Sequence, residues 1–226
     1  DAMKTFGSDF VQAYGLTETT GAITVIEAQD HDPGGTRAHL LRSCGRAVAN
    51  HKIKIVDKDS GAEVPEGEVG EICVLGPQTM KCYWLNEEAT NECYTDDWFH
   101  TGDAGYLADG YLYIHDRVKD MIISGGENIY PAEIENALMQ HPLIADAAVI
   151  GVPSERWGET VKAIITRTND TLDEQGVIEH CRKLLAGYKC PTSIDWMTEI
   201  LRNPSGKILK VELRKPYWDG KGRQVS

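Results

Sequence analysis

Apolar residues fall along this chain in two rhythms. In the first half they come in short runs, Ile53-Lys54-Ile55-Val56 and Glu71-Ile72-Cys73-Val74-Leu75, set off by Asp57-Lys58-Asp59-Ser60-Gly61 and Pro65-Glu66-Gly67-Glu68. Runs of that length between turn-forming clusters predict antiparallel strands in a small barrel or sheet. Between Tyr106 and Ile114, Asp109-Gly110 separates two further strand-like runs, the composition of a tight hairpin whose turn needs positive φ. After Arg117 the rhythm changes. Pro131 suits the first turn of a helix reaching about Gln140, followed by a β-branched and Ala-rich run from Ala145 to Val152 and a strand from Val161 to Thr168. From about Asp173 to Ala186, Val177, Ile178, Cys181, Leu184 and Leu185 recur at helical spacing, and a strand near Ser193 to Met197 and a short helix after Lys207 follow. This order predicts an α/β or α+β class: a β-rich first part and a compact α+β second part. The joint lies between Asp116 and Asp120, without a Pro/Ser-rich linker or an internal repeat.

Composition narrows the range of functions. At 41% hydrophobic, the 226 residues can bury a core. A formal net charge of -12 excludes a general nucleic-acid binder, because neutralising a phosphate backbone needs surplus Lys and Arg. An anionic ligand must therefore be held by a local site. No apolar run reaches the roughly 18 to 20 residues of a spanning helix, and no basic segment precedes an apolar stretch at the N-terminus. The expectation is a soluble, cytoplasmic protein with no membrane span. Cys44, Cys73, Cys82, Cys93, Cys181 and Cys190 form no C-x-x-C pair and have no His at zinc spacing, which favours free thiols in a reducing compartment. The opening, Asp1 to Val11, has no initiator Met and runs at once into a motif-like segment, as expected of a chain lacking its N-terminal part.

Four segments carry candidate chemistry. Tyr14-Gly15-Leu16-Thr17-Glu18-Thr19 sets an aromatic, a flexible Gly, a hydroxyl and a carboxylate close together, suited to stacking a base, donating to phosphate and holding a hard cation. Taken alone, it reads first as a buried Tyr beside a polar turn. Trp98-Phe99-His100-Thr101-Gly102-Asp103 ends an apolar stretch on a carboxylate that fits two ribose hydroxyls; standing alone, it reads first as a turn Asp bonding its own backbone. Asp116 to Asn128 puts a charge cluster before a strand and the Gly125-Gly126 loop; a solvated charged turn explains it equally well. Asn203-Pro204-Ser205-Gly206-Lys207 offers an ammonium on a mobile-looking Pro/Gly loop, able to reach a developing phosphate charge.

In this order the four segments resemble the adenylate-forming superfamily of acyl-CoA synthetases, peptide-synthetase adenylation domains and luciferases. Tyr14 to Glu18 is similar to its Y-G-x-T-E segment, Thr101 to Asp103 to its T-G-D, Asp116 to Glu135 to its hinge and Gly-rich block, and Pro204 to Lys207 to its P-x-G-K end. The resemblance implies that residues 1–117 are the C-terminal part of an AMP-binding N-terminal domain and that residues 118–226 are its mobile C-terminal lid. It implies that Tyr14 packs on adenine beside Gly15, Thr17 contacts the α-phosphate region, Glu18 ligates Mg²⁺, and Asp103 with Arg117 holds the ribose. It makes Lys119 the hinge, Lys207 the lysine of the adenylation step, and Gly125-Gly126, Trp157 and Tyr188 contacts for CoA. For both Trp157 and Tyr188 core packing is the favoured reading and the CoA contact the alternative. Some relatives place Arg where Cys190 stands.

The implied activity is ATP-dependent activation of a carboxylic acid, a fatty acid first, through an acyl-adenylate and transfer to CoA, with AMP released. An adenylation domain loading a carrier protein, an aryl-CoA ligase and a noncatalytic nucleotide- or partner-binding lid module are the alternatives. The family's Ser/Thr/Gly-rich loop ending in Pro-Lys-Gly lies upstream of Y-G-x-T-E and does not occur here. The chain by itself is therefore expected to be inactive and to need the missing N-terminal part of the same chain. The implied partners are the carboxylic acid, ATP and CoA, and a homo-oligomer stays open.

Overall fold

The structure, a computed structural model, describes residues 2–220. By internal contacts the chain divides into two compact units between Val118 and Lys119. Their class is α+β.

The first unit is β-rich. After a short helix α1 (Ala2–Phe6), strands β1 (Gln12–Leu16), β2 (Gly21–Ile26) and β3 (Arg46–Ala47) form an antiparallel three-stranded sheet in the order β1-β2-β3. Strands β4 (Lys52–Val56), β5 (Gly70–Leu75), β6 (Tyr94–Thr95), β7 (Trp98–Ala108) and β8 (Tyr111–Arg117) make a second antiparallel sheet in the order β4-β5-β7-β6, with β8 also on β7. Helix α2 (Glu87–Glu92) precedes β6, and the Asn86 side chain caps it by accepting from the Ala89 N–H at 3.1 Å. The expected β7–β8 hairpin turns at Asp109 (φ 51°) and Gly110 (φ 76°), the two left-handed residues of a type I′ turn. Ile23 from the first sheet and Ile55, Ile72, Val74 and Leu112 from the second share one buried cluster, against which Tyr14 and Leu16 pack. That cluster supports the segment carrying the first motif.

The second unit is a five-stranded mixed sheet flanked by helices. Strands β9 (Ile122–Ser124) and β10 (Glu127–Ile129) form a hairpin, helix α3 (Pro131–Leu138) follows, and β11 (Ile144–Ser154) pairs antiparallel with β12 (Gly158–Arg167). Helix α4 (Glu174–Leu184) makes the crossover to β13 (Ser193–Trp196), which lies parallel to β12, and α5 (Lys210–Trp218) follows. The sheet order is β10-β9-β12-β11, with β13 on β12.

The continuous apolar run around Val149 is explained by burial on both faces. Ala147 and Val149 point into a cluster with Ile134 and Leu138 of α3 and Val177 and Cys181 of α4. Their neighbours Ala148 and Ile150 point into a second cluster with Leu213 of α5. Helix α4 begins at Asp173, whose side chain accepts from the Gly176 N–H at 2.8 Å. Helix α5 is fastened by the Trp218 indole N–H on the Gly151 carbonyl at 2.9 Å and by Asp195, which takes both the Tyr217 hydroxyl and the Lys162 ammonium (2.6 Å).

The runs at Ile53–Val56 and Glu71–Leu75 pair antiparallel as β4 and β5 of one sheet, as expected, while nothing in the run patterns marks β1, β2 and β3 or α2. All six cysteines are free thiols, and among the described residues no helix is long and apolar enough to cross a membrane.

Candidate functional site

Tyr14 and Gly15 sit where the β1–β2 register slips. A Cβ on Gly15 would lie 1.9 Å from the Gly21 carbonyl oxygen, so only glycine permits this approach of the strands. The chain then turns through a 3₁₀ segment, Thr17–Thr19. Thr19, fully buried, anchors the turn: its hydroxyl accepts from the Leu16 N–H at 2.9 Å and lies 2.9 Å from the Gly21 carbonyl. Thr20 at φ 55° closes it. Thr17 is thereby left exposed and Glu18 half-buried. The Glu18 carbonyl accepts from the Met80 N–H at 2.6 Å, and its Oε1 accepts from the Tyr83 hydroxyl at 2.9 Å. Burial and that bond to Glu18 push the Tyr83 phenol up to about 12, so it remains a donor at neutral pH.

Asp103 lies inside the long strand β7, not in a turn, and meets Arg117 across the β7–β8 ladder. Its Oδ2 accepts from the Tyr14 hydroxyl at 2.6 Å, and its Oδ1 is 3.9 Å from Arg117 Nε. Burial first, and the Asp103 charge second, push the Tyr14 phenol well above its ordinary range. Tyr14 is thus a fixed donor to a carboxylate 89 residues away in sequence, and the first two motifs converge on one place.

In the second unit, Gly125 (φ +62°) and Gly126 (φ +89°) form the β9–β10 turn. The Gly125 N–H donates to the Trp157 carbonyl at 2.9 Å, and a Cβ on Gly125 would meet the Trp157 ring, 2.9 Å from Cε3. The ring is 47% exposed and stacks under the Arg156 guanidinium, 4.4 Å from its centroid. Core packing therefore does not account for Trp157. Tyr188, 53% exposed, stands on a separate 3₁₀ turn, Gly187–Lys189, where Lys189 pairs with Glu133 at 2.7 Å. Cys190 beside it is buried.

The Lys207 loop is built more firmly than its Pro/Gly composition suggests. Asn203 Oδ1 accepts from the Ser205 N–H (3.0 Å), the Ser205 hydroxyl (2.7 Å) and the Lys207 N–H (2.9 Å). Gly206 takes φ +85°, and its carbonyl accepts from Arg202, itself paired with Asp146 at 2.7 Å. The Lys207 side chain is exposed, and its ammonium has no ion pair among the described residues. Lys119 lies in the 3₁₀ segment Val118–Asp120, its carbonyl accepting from Arg214, which also pairs with Asp120 at 3.1 Å.

Tyr83 and Thr19 escape the motif reading. Thr19 lies within the Tyr14–Thr19 segment, but a buried hydroxyl cannot be told from an exposed one by spacing. Tyr83 lies 65 residues from Glu18, with no pattern joining them.

A family model described as AMP-binding enzyme matches residues 1–84, and one described as AMP-binding enzyme C-terminal domain matches residues 133–207. A fatty acid--[acyl-carrier-protein] ligase of Streptomyces coeruleorubidus is 40% identical over 228 residues, covering 100% of this chain and 43% of that protein. A feruloyl-CoA synthase of an Amycolatopsis species is 44% identical over 215 residues, 93% of this chain and 42% of its own length. Among solved structures, the o-succinylbenzoate CoA synthetase of Bacillus subtilis with its acyl-adenylate intermediate superposes with a TM-score of 0.82 at 35% identity, covering 94% of this chain and 42% of that one. The same enzyme with ATP and magnesium gives 0.81 at 35%, over 93% and 42%. The chain thus spans less than half the length of the relatives it matches.

Proposed function

Because the chain belongs to the AMP-binding enzymes of the adenylate-forming superfamily, we propose that its full-length protein activates a carboxylic acid with ATP and passes the acyl group to a thiol. The observation that carries this reading is the Tyr14–Asp103 hydrogen bond, which sets an aromatic ring and a diol-accepting carboxylate side by side. In the first step a substrate carboxylate oxygen attacks the α-phosphorus, and the bond to the pyrophosphate oxygen breaks. In the second a thiolate attacks the acyl carbonyl, and the C–O bond to AMP breaks. Tyr14 lies on adenine beside Gly15, Asp103 and Arg117 take the ribose, and Thr17 contacts the α-phosphate region.

Mg²⁺ suits Glu18. Oε1 is steadied by Tyr83, and no hydrogen bond engages Oε2 among the described residues. No three His, Cys, Asp or Glu converge into a metal cage among the described residues. That fits a hard cation bound through one carboxylate plus phosphate oxygens, where it would offset phosphate charge. Lys207 supplies the ammonium that screens the approach of carboxylate to phosphate. Lys119 is the pivot of a lid formed by residues 118–226, and residues 1–117 belong to the AMP-binding domain. The bare Gly125-Gly126 turn, flanked by exposed Trp157, leaves room for a pantetheine arm, and Tyr188 offers a second aromatic contact.

A fatty acid with CoA is the first assignment. A carrier-protein acceptor is the second, favoured by the ligase of that name aligning with the whole chain. The aryl acid activated by the feruloyl-CoA synthase makes a third substrate class to assay.

The test is AMP release by the full-length protein with fatty and aryl acids, against CoA and against a pantetheinylated carrier. No AMP with any combination would favour a noncatalytic lid module. Lys207→Ala should abolish acyl-adenylate formation and spare thioester formation from supplied acyl-adenylate; equal loss of both would refute its role. The 226-residue chain alone should bind ATP weakly and not turn over, a proposal overturned by robust CoA-dependent AMP production.

A further inference from the structure

The ladder between β5 and β7 does not run residue for residue. Cys73 pairs with His100 and Glu71 with Ala104, so Ile72 alone faces Thr101, Gly102 and Asp103. Three residues against one interrupt the β5–β7 ladder at Gly102. The Thr101 hydroxyl serves the Asp103 N–H (3.1 Å) while donating to the Ile72 carbonyl (2.8 Å). The Gly102 N–H goes instead to a side chain, Glu71 Oε1, at 3.2 Å. The other oxygen of that carboxylate is 2.9 Å from His100 Nδ1, and His100 Nε2 is 3.0 Å from the Thr95 hydroxyl. One carboxylate, 16% exposed, thus grips the bulge both at its middle and just before it. Gly102 needs this grip: at φ +70°, with nothing within 4 Å of a would-be Cβ, no side chain of its own fixes its peptide.

We infer that Glu71 is a positioning residue for Asp103. Its carboxylate holds the Gly102 peptide where the ladder is interrupted, and so sets the direction in which the next residue presents its own carboxylate to a ribose diol. The inference rests on the assignment of Asp103 to the ribose. A diol offers two hydroxyls at fixed spacing, and a carboxylate engages both only when its plane is correctly turned. Tyr14 and Arg117 bear on Asp103 from the side-chain end, at 2.6 and 3.9 Å. Glu71 bears on it from the backbone end, and nothing in the proposed chemistry otherwise uses that charge.

The experiment compares kcat/KM of the full-length protein for ATP and for 2′,3′-dideoxy-ATP. The ratio does not depend on the fraction of enzyme folded, so a merely structural loss lowers both values and leaves it unchanged. Asp103→Asn calibrates how much of the preference for ATP runs through that carboxylate. Since a misplacement of about 1 Å costs on the order of 100-fold in such sites, a smaller shift in Glu71→Ala should reduce the preference about tenfold. Glu71→Gln should keep most of it, because its amide oxygen still accepts from Gly102 and its NH₂ faces His100 in the other tautomer. If Asp103→Asn lowers the ratio and Glu71→Ala does not, the inference is overturned while the ribose assignment stands. If Asp103→Asn leaves the ratio untouched, the ribose assignment fails and the inference falls with it.

Discussion

Replacing Tyr14 by Phe removes one hydroxyl and keeps the ring. What is lost is a 2.6 Å hydrogen bond to a carboxylate whose side chain is 15% exposed. Hydrogen bonds to charged groups contribute roughly 1.5–3 kcal/mol net, and limited solvent access lets water replace only part of that, so Tyr14→Phe should cost about 1.5–2 kcal/mol. Urea unfolding followed by fluorescence measures it. A cycle with Asp103→Asn should return a coupling of about 1.5 kcal/mol, since both singles break the same contact. The bond also carries a pH signature. Tyr14's phenol is raised above its unfolded value of about 10, so its contribution is fully present below about pH 10 and is lost as pH climbs through the raised folded value. Wild type should therefore lose stability above pH 10 more steeply than Tyr14→Phe. Additivity of the two singles to within about 0.5 kcal/mol would refute the reasoning, because it would mean the two side chains do not act together.

Other outcomes follow from single contacts. Gly125→Ala should cost about 1–2 kcal/mol for a left-handed residue and shift tryptophan emission by displacing the Trp157 ring, whereas Gly126→Ala should leave emission unchanged; a Trp157→Phe background removes the difference. For Asp195, burial alone would raise the carboxyl, but the hydrogen bonds from Lys162 and Tyr217 and the Lys162 charge outweigh it and hold the group below its ordinary value. Its contribution is present above the unfolded pKa of about 3.9 and lost as pH falls through the lower folded value, so Asp195→Asn should flatten the acid limb of the stability profile below about pH 4. Lys119→Pro in the full-length protein should keep one half-reaction and lose the other, since Pro fixes φ and removes the N–H; wild-type rates in both would rule out the hinge.

How far the sequence could be read depended on the range of the forces involved. The β11–β12 pair declares itself through continuous apolar runs, and α3 and α4 through helical spacing of apolar residues with Pro131 and Asp173 at their starts. The Asp109-Gly110 hairpin is as legible, since two left-handed residues leave few alternatives. Strands β1 and β2 stay hidden because their pairing turns on one close approach, Gly15 on Gly21, and an irregular register, and β3 because it is only two residues long. The individual motifs are visible in the residues, while their convergence follows only from the family resemblance and not from their spacing. That Tyr14 meets Asp103, or Glu18 meets Tyr83, depends on contacts across 89 and 65 residues that no local rule encodes. The Lys207 loop shows the opposite error: Pro and Gly suggested looseness, while Asn203 ties the turn together through three hydrogen bonds.

The most direct test of the central claim follows an oxygen atom. The full-length protein, given a fatty acid labelled with ¹⁸O in its carboxylate, ATP, Mg²⁺ and CoA, should release AMP carrying one heavy oxygen, because the carboxylate oxygen that attacks the α-phosphorus leaves with AMP when the thiol takes the acyl group. Mass spectrometry of the nucleotide reads this without ambiguity. Unlabelled AMP, or label recovered in inorganic phosphate alongside ADP, would contradict an acyl-adenylate route.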